Sequence, residues 1–293
     1  MAHKAGFVNI IGNPNVGKST IMNALVGERL SIITSKAQTT RHRIQGIVNG
    51  EDFQIVYSDT PGILKPNYKL QESMMKFVNT AISDADTILY VTDVKETADK
   101  NQEYLDKIKG NTERVIVVIN KIDLCNEEEL NEMVTKWEGL LPGAKIIPTS
   151  ATENFNLDTL LNNIINSLPE NPPFYPKDQL TDKTERFFAQ EIIREKILIH
   201  YKKEIPYSVE VEIESFKEDD KIIHMSAVIN VIRDSQKGII IGHKGASLKR
   251  VGTEARKDME IFFDKKVFLE IFVKVKKDWR DKDNMLKQFG YNG

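Results

Sequence analysis

Residues 12–19 read Gly12-Asn13-Pro14-Asn15-Val16-Gly17-Lys18-Ser19, followed by Thr20. The pattern G-x-x-x-x-G-K-[ST] is that of a loop that cradles phosphates. Gly12 and Gly17 let the backbone curl so that the N–H groups of Asn13, Asn15, Val16 and their neighbours point at phosphate oxygens. Lys18 reaches the β- and γ-phosphates, the Ser19 hydroxyl suits Mg²⁺, and a helix opening at Lys18 and running through Thr20 adds its positive end. By chance the pattern arises in roughly one chain in a hundred of this length, so it needs company.

The company follows in order. Glu28 to Arg43 is a long polar stretch holding Thr39 and Thr40, and a loop of that length inside a compact domain is usually functional. Asp59-Thr60-Pro61-Gly62 comes next. A carboxylate at the end of a strand suits the sphere around Mg²⁺, and Gly62 lets its N–H approach the γ-phosphate closely. Asn120-Lys121-Ile122-Asp123 is base-specific: a buried Asp123 carboxylate accepts both the N1–H and N2–H₂ donors of guanine, and facing adenine it stays unpaired. Asn120 holds the loop, and the Lys121 stem lies over the base. Ser150-Ala151 falls where a backbone N–H meets guanine O6.

Each motif requires a strand to present it. Phe7–Ile11, Phe53–Tyr57, Thr87–Asp93, Arg114–Ile119 and Lys145–Thr149 are short apolar runs that read as strands of a buried parallel sheet, and Ile44–Val48 reads as its edge strand. Ile21, Met22, Leu25 and Val26 recur at helical spacing behind the first loop. Asn126 and Glu129 form a capping box for a helix to Leu140, and Asn154 or Asn156 starts another through Ser167. The expected fold is an α/β, doubly wound P-loop domain with one antiparallel edge strand.

Pro169-Glu170-Asn171-Pro172-Pro173-Phe174-Tyr175-Pro176 cannot continue a helix and favours extended geometry. The expected domains are therefore 1–168, a semi-rigid linker 169–181, and 182–293. Beyond the linker the pattern changes. Asp182 with Glu185 caps a helix from about Thr184 to Tyr201. Ser208–Phe216 and Lys221–Val231 read as strands, Gln236–Ile241 and Ala246–Phe263 as helices, and Lys266–Val275 as a last strand. An α-β-β-α-α-β order with Gly242-His243-Lys244-Gly245 between two helices reads as a KH domain, whose G-x-x-G loop clamps single-stranded nucleic acid. Lys237, Lys244, Lys249 and Arg250 supply counter-charge, and Ile239, Ile240 and Ile241 partly line the groove.

Charge supports that division. Residues 1–180 carry 18 basic and 23 acidic side chains, residues 181–293 carry 23 and 20, and within 233–257 the ratio is 7 to 2. The lone Cys125 excludes an internal disulfide framework, and no apolar run is long enough for a membrane span. The expected location is the cytoplasm. A modification or transport enzyme with its own C-terminal active site is a rival reading. Residues 181–293 offer no paired carboxylates, Cys/His cluster or nucleophile–base pair for it. An RNA-binding module with a purely structural nucleotide is a third.

The motifs G-N-P-N-V-G-K-S, Q-T-T-R-H (38–42), D-T-P-G, N-K-I-D and T-S-A, with V-I-R-D-S-Q-K-G-I-I-I-G-H-K-G (231–245), resemble those of the Era family of bacterial GTPases. The resemblance spans nearly the whole chain. It implies GTP and GDP as ligands, Mg²⁺ held by Ser19, Thr40 and Asp59, and catalysis resting on Lys18, Thr40 and Gly62. It implies a K⁺ ion at Asn15 and slow turnover, because Ile63 stands where Ras-type GTPases carry the water-orienting glutamine. It implies RNA contacts at Lys237, Ile241, Gly242, His243, Lys244, Gly245, Lys249 and Arg250 in a type II KH domain. The implied partner is single-stranded ribosomal RNA near the 3′ end of the small-subunit RNA, not DNA. The implied role is maturation of the 30S subunit, by a monomer with peripheral contact to the inner face of the membrane.

Overall fold

The computed structural model describes residues 2–96 and 101–291. They form two compact units, the first comprising residues up to Pro66 and Met74–Asp182, the second Asn67–Ser73 and the chain from Lys183 onward.

In the first unit the strands are β1 (Lys4–Gly12), β2 (Ile44–Asn49), β3 (Phe53–Asp59), β4 (Thr87–Asp93), β5 (Val115–Asn120) and β6 (Lys145–Pro148). They make one sheet in the order β2-β3-β1-β4-β5-β6, parallel except for β2. Val8, Ile10, Ile55, Ile88, Leu89, Val117 and Val118 are fully buried. Each contributes about 1.5–3 kcal/mol of hydrophobic stabilisation relative to exposure. The helices are α1 (Lys18–Val26), α2 (Lys69–Ser83), which belongs to this unit from Met74 onward, α3 (Gln102–Lys109), α4 (Glu127–Leu140) and α5 (Leu157–Ser167). The Asn126–Glu129 capping box opens α4. The motifs beginning at Gly12, Asp59, Asn120 and Ser150 sit at the C-terminal ends of β1, β3, β5 and β6, where an open α/β sheet binds its ligand.

The Pro-rich segment is packed along the exposed side of β2. Leu180 C=O accepts from Ile47 N–H at 2.8 Å, Asp182 Oδ1 from Gln45 N–H at 2.9 Å, and Thr181 Oγ1 donates to Gln45 C=O at 2.6 Å. Gln54 adds bonds to the backbone of Phe174 and Tyr175. Asp182 thus binds a strand edge, whose unpaired N–H is as good a donor as a helix end. The next helix starts two residues later than that carboxylate suggests, with Thr184 as its N-cap residue and no side-chain cap bond from it.

The second unit contains α6 (Glu185–His200), β7 (Glu210–Glu218), β8 (Ile222–Val231), α7 (Asp234–Ile241), α8 (Ala246–Phe262), β9 (Lys266–Val275) and a short α9 (Asp283–Gln288). The sheet order is β7-β8-β9, antiparallel then parallel. The core joins Ile193 and Ile197 of α6, Val211 and Ile229 of the sheet, and Val251, Ala255 and Met259 of α8. A bulge between Ile213 and Ser215 shifts the β7 register. Ile240 lies at 0 % exposure in this core and lines no groove, unlike its neighbour Ile239 at 50 %. Among the described residues, no helix is long and apolar enough to cross a membrane.

Candidate functional site: a phosphate pocket and a basic loop

The ends of β1, β3 and β5 converge on a cleft of about 330 Å³ lined by Pro14, Asn15, Gly17, Lys18, Ser19, Thr20, Thr39, Thr40, Gly62 and Lys121, among others. Gly17 has φ 100°, and a Cβ there would stand 2.1 Å from Asn120 Nδ2. Only glycine fits. That close approach lets Asn120 brace the loop, with Nδ2 donating to Val16 C=O at 2.9 Å. Lys18 is buried, its ammonium donating to Gly12 C=O at 3.1 Å and Asn13 C=O at 2.7 Å. Burial pulls it down to about 8, against the opposing charges of Asp59 and Glu96. A phosphate bound beside it would raise it again, since an opposite charge favours the ammonium form.

Three oxygens meet beside it. Ser19 Oγ donates to Asp59 Oδ2 at 2.6 Å, Thr40 Oγ1 donates to the same atom at 3.1 Å, and the two hydroxyls lie 3.0 Å apart. Thr39 instead bonds Thr34 and Lys36 C=O, so Thr40 is the threonine that faces the carboxylate. Asp59 Oδ1 is buried without a hydrogen-bond partner, and burial pushes the Asp59 carboxyl up despite Ser19 and Lys18. A divalent cation bound by oxygen ligands removes both anomalies, so these residues fit Mg²⁺. The loop after Asp59 is sewn to the phosphate loop by Ile63 N–H to Gly12 C=O at 3.0 Å. A Cβ on Gly62 would stand 2.7 Å from the Pro14 nitrogen.

The base end is assembled from β5 and β6. Lys121, at φ 61°, bonds Asn15 C=O at 2.5 Å and Asp93 at 2.7 Å. Asp123 is exposed, not buried as the sequence reading requires, and accepts from Ser150 Oγ at 2.6 Å. Its desolvation therefore has to come from the base seated on it. The Ala151 N–H donates to Asn120 Oδ1 at 3.1 Å and the Ser150 N–H to Phe155 C=O at 3.3 Å. Both N–H groups of the Ser150-Ala151 pair thus have partners within the protein. Asn15 donates to Ser35 C=O at 3.0 Å, which ties the phosphate loop to the Glu28–Arg43 segment.

Two bracing residues were not read from the sequence. Asn101, 6 % exposed, donates to Asn13 Oδ1 at 2.5 Å from the start of α3. Asp93 holds Lys121. Neither stands at a motif spacing; only the end of β4 beside β5 hints at Asp93. Cys125 is half-buried, its thiol pushed up by burial and by Glu129 and Asp123, which leaves it a poor nucleophile.

In the second unit Gly242 (φ 72°), Lys244 (φ 48°) and Gly245 (φ 79°) make a tight turn between α7 and α8. His243, Lys244, Lys249 and Arg250 are exposed, and Lys237 and Ile241 are half-buried. Arg250 is tied to Glu254 at 3.1 Å, and Glu254 to His200 at 2.5 Å. Among the described residues no cluster of three or more His, Cys, Asp or Glu could hold a metal. The glycine turn is flanked instead by the basic side chains of Lys237, Lys244, Lys249 and Arg250.

The sequence profile of a family described as 50S ribosome-binding GTPase matches residues 7–121, and that of the KH domain matches 204–280. A crystal structure of Era in complex with MgGDPNP and nucleotides 1506–1542 of 16S ribosomal RNA superposes with a TM-score of 0.94, at 38 % identity over 99 % of both chains. This chain belongs to the Era family of GTPases. A variant of Aquifex aeolicus Era bound to GDP and aluminium fluoride gives the same identity and TM-score over 98 % of this chain and 99 % of that one. The first Era relative was crystallised with a GTP analogue and Mg²⁺, the second with a mimic of the transferring phosphoryl group. The chain is accordingly a GTPase with a KH-type RNA-binding domain.

Proposed function

We propose that this GTPase binds the 3′ region of 16S ribosomal RNA through residues 182–293 and acts in maturation of the small subunit, with nucleotide state controlling RNA access. The observation that carries this reading is the whole-chain likeness to an Era that holds a GTP analogue and nucleotides 1506–1542 together. The profile whose description mentions the 50S ribosome reaches only residue 121 and excludes the RNA-binding half. The glycine turn with Lys237, Lys244, Lys249 and Arg250 supports the assignment of the RNA strand there. The site of action is then the cytoplasm, with the protein a monomer on its RNA.

For hydrolysis, Lys18 neutralises the γ-phosphate charge, the Gly62 N–H donates to it, and Thr40 with Ser19 and Asp59 holds Mg²⁺. That ion neutralises charge between the phosphates. Guanine is read by Asp123, with Asn120 and Lys121 keeping the loop in shape. Ile63 is 5 % exposed and apolar, so no side chain at that position orients water, and intrinsic turnover is slow. Asn15 would hold a K⁺ ion, whose charge would add to that of Lys18 at the phosphates. Replacing K⁺ by Na⁺ slows turnover in wild type and has no effect in Asn15→Ala; equal rates in both salts remove K⁺ from the mechanism.

The test of the whole reading is titration of a 37-nucleotide RNA matching 1506–1542 into the full chain loaded with GDP or a non-hydrolysable GTP analogue. The two nucleotide states should differ in RNA affinity by about 1–3 kcal/mol. No binding in either state overturns the RNA assignment; equal affinities overturn nucleotide control.

A further inference from the structure

Two residues break local rules and meet at one guanidinium. Asn9 is a polar side chain at 0 % exposure in the middle of β1, where an apolar residue would be expected. Asp84 follows directly on the last residue of α2, a helix with no basic residue in its last turn. A carboxylate at that end opposes the helix dipole. Positions that violate local preference are kept for something else.

Both are held by Arg43, the residue that ends the polar segment carrying Thr40. Arg43 Nη1 donates to Asp84 Oδ2 at 2.5 Å and Nη2 to Asp84 Oδ1 at 3.1 Å, a two-pronged pair. Nη2 also reaches Asn9 Oδ1 at 3.1 Å, and Nε donates to Ser58 Oγ at 3.0 Å. Asn9 closes the ring by donating to Ala81 C=O at 2.7 Å and to Asp84 Oδ1 at 2.6 Å. One planar side chain, 14 % exposed, thus ties together four elements. They are the end of the Thr40 segment, the last turn of α2, the centre of β1, and β3 at the residue before Asp59.

We propose that Arg43 is a positioning residue for the GTP-bound state, rooting the Thr40 segment and α2 on the β1–β3 floor so that Thr40 stays in register with Asp59. Two residues separate Thr40 from this root, and Ser58 adjoins Asp59. Slack at Arg43 therefore acts directly on the 3.1 Å approach of Thr40 to Asp59. A lysine carries the charge but not the fork, and cannot hold Asp84, Asn9 and Ser58 at once. The inference rests on the reading of Thr40 as the Mg²⁺ residue. It makes the root important when the γ-phosphate recruits Thr40, and unimportant for GDP.

The test uses the full chain as Arg43→Ala, Arg43→Lys, Asp84→Ala, the Arg43→Ala/Asp84→Ala double variant and Thr40→Ala. The readouts are dissociation constants for GDP and for a non-hydrolysable GTP analogue with Mg²⁺, and hydrogen exchange of the amides of 28–43. Arg43→Ala and Asp84→Ala should each weaken the analogue about tenfold while changing GDP less than twofold. The double variant should be no worse than Arg43→Ala alone, and Arg43→Lys should recover only part of the loss. Exchange in 28–43 should rise with the analogue bound and stay unchanged with GDP. Equal weakening of both nucleotides, or a lowered melting temperature with their ratio unchanged, makes Arg43 merely structural and overturns the proposal. An unchanged ratio in Thr40→Ala overturns the Thr40 assignment. A changed ratio there, with none in Arg43→Ala, overturns the positioning role alone.

Discussion

Two glycine turns receive phosphates in this reading, and they are built in opposite ways. The loop at 12–19 lies inside a unit: Gly17 is pressed against Asn120, Lys18 is buried, and Asn101 and Asn120 brace the backbone from neighbouring elements. The turn at 242–245 lies at the surface: a Cβ on Gly242 would meet only the adjoining Ser247, its Oγ at 2.2 Å, and one on Gly245 would meet nothing within 4 Å. Its lysines are on the surface. The first is a moulded cavity in which low dielectric magnifies each charge; the second is a surface grip whose attraction salt can screen. Selectivity for one small molecule needs the former, and hold on a long polyanion is served by the latter.

The most damaging way to break the contrast is to empty the cavity of its charge. Lys18→Ala should lower phosphate release at saturating GTP by about a thousandfold or more, near 4 kcal/mol, while RNA binding by the GDP form survives. A residual rate within tenfold of wild type would disprove the role of Lys18.

The same lysine gives the cavity a pH signature. Its folded pKa of about 8 lies below the unfolded 10.5. Between those values the unfolded state binds more protons, so stability rises with pH over that window. Below about pH 8 both states are charged and the burial cost is constant. The nucleotide-free wild type should gain on the order of 3 kcal/mol relative to Lys18→Met between pH 8 and 10.5. Parallel urea-unfolding curves for the two across that range would refute the buried charge.

Asp123→Asn sharpens the comparison at the base. GTP affinity should fall about a hundredfold and that for xanthosine triphosphate should rise, since the latter presents an acceptor where guanine has its amino group. An unchanged preference in competition binding would remove Asp123 from recognition.

Smallest in effect is the open turn. Lys244→Asp should weaken single-stranded RNA about tenfold at low salt. Its effect should shrink as salt rises, because fewer counterions remain to be released. GTP turnover without RNA should not change. A loss that persists undiminished at high salt would argue for a moulded site here too.

Residue types and spacing made most of this legible. Strands β1, β3, β5 and β6 each end in or border a motif, and their largely apolar runs have few other uses in an α/β domain. β9 was read residue for residue as 266–275. Helices α2 and α3 were missed, although Leu70, Met74 and Val78 recur at helical spacing and are buried. Nothing in that stretch carries chemistry to draw the eye. The departures share a cause. The exposure of Asp123, the strand-edge bond of Asp182 and the burial of Ile240 each differ from what the local pattern suggests. Where each one faces is set by a partner far along the chain, or by the packing of the whole unit.

The seam along β2 carries a consequence for how the protein comes into being. The Gln45 and Ile47 N–H groups on that side are satisfied by Asp182 and Leu180, more than 130 positions downstream. A chain emerging from a ribosome displays all its nucleotide motifs by residue 151 yet keeps a bare strand edge until residue 182 is out. Such an edge invites pairing with other nascent chains. The vulnerable interval of synthesis therefore outlasts completion of the nucleotide site, and a fragment cut at 168 would preserve that interval permanently, whereas one cut after 182 would end it.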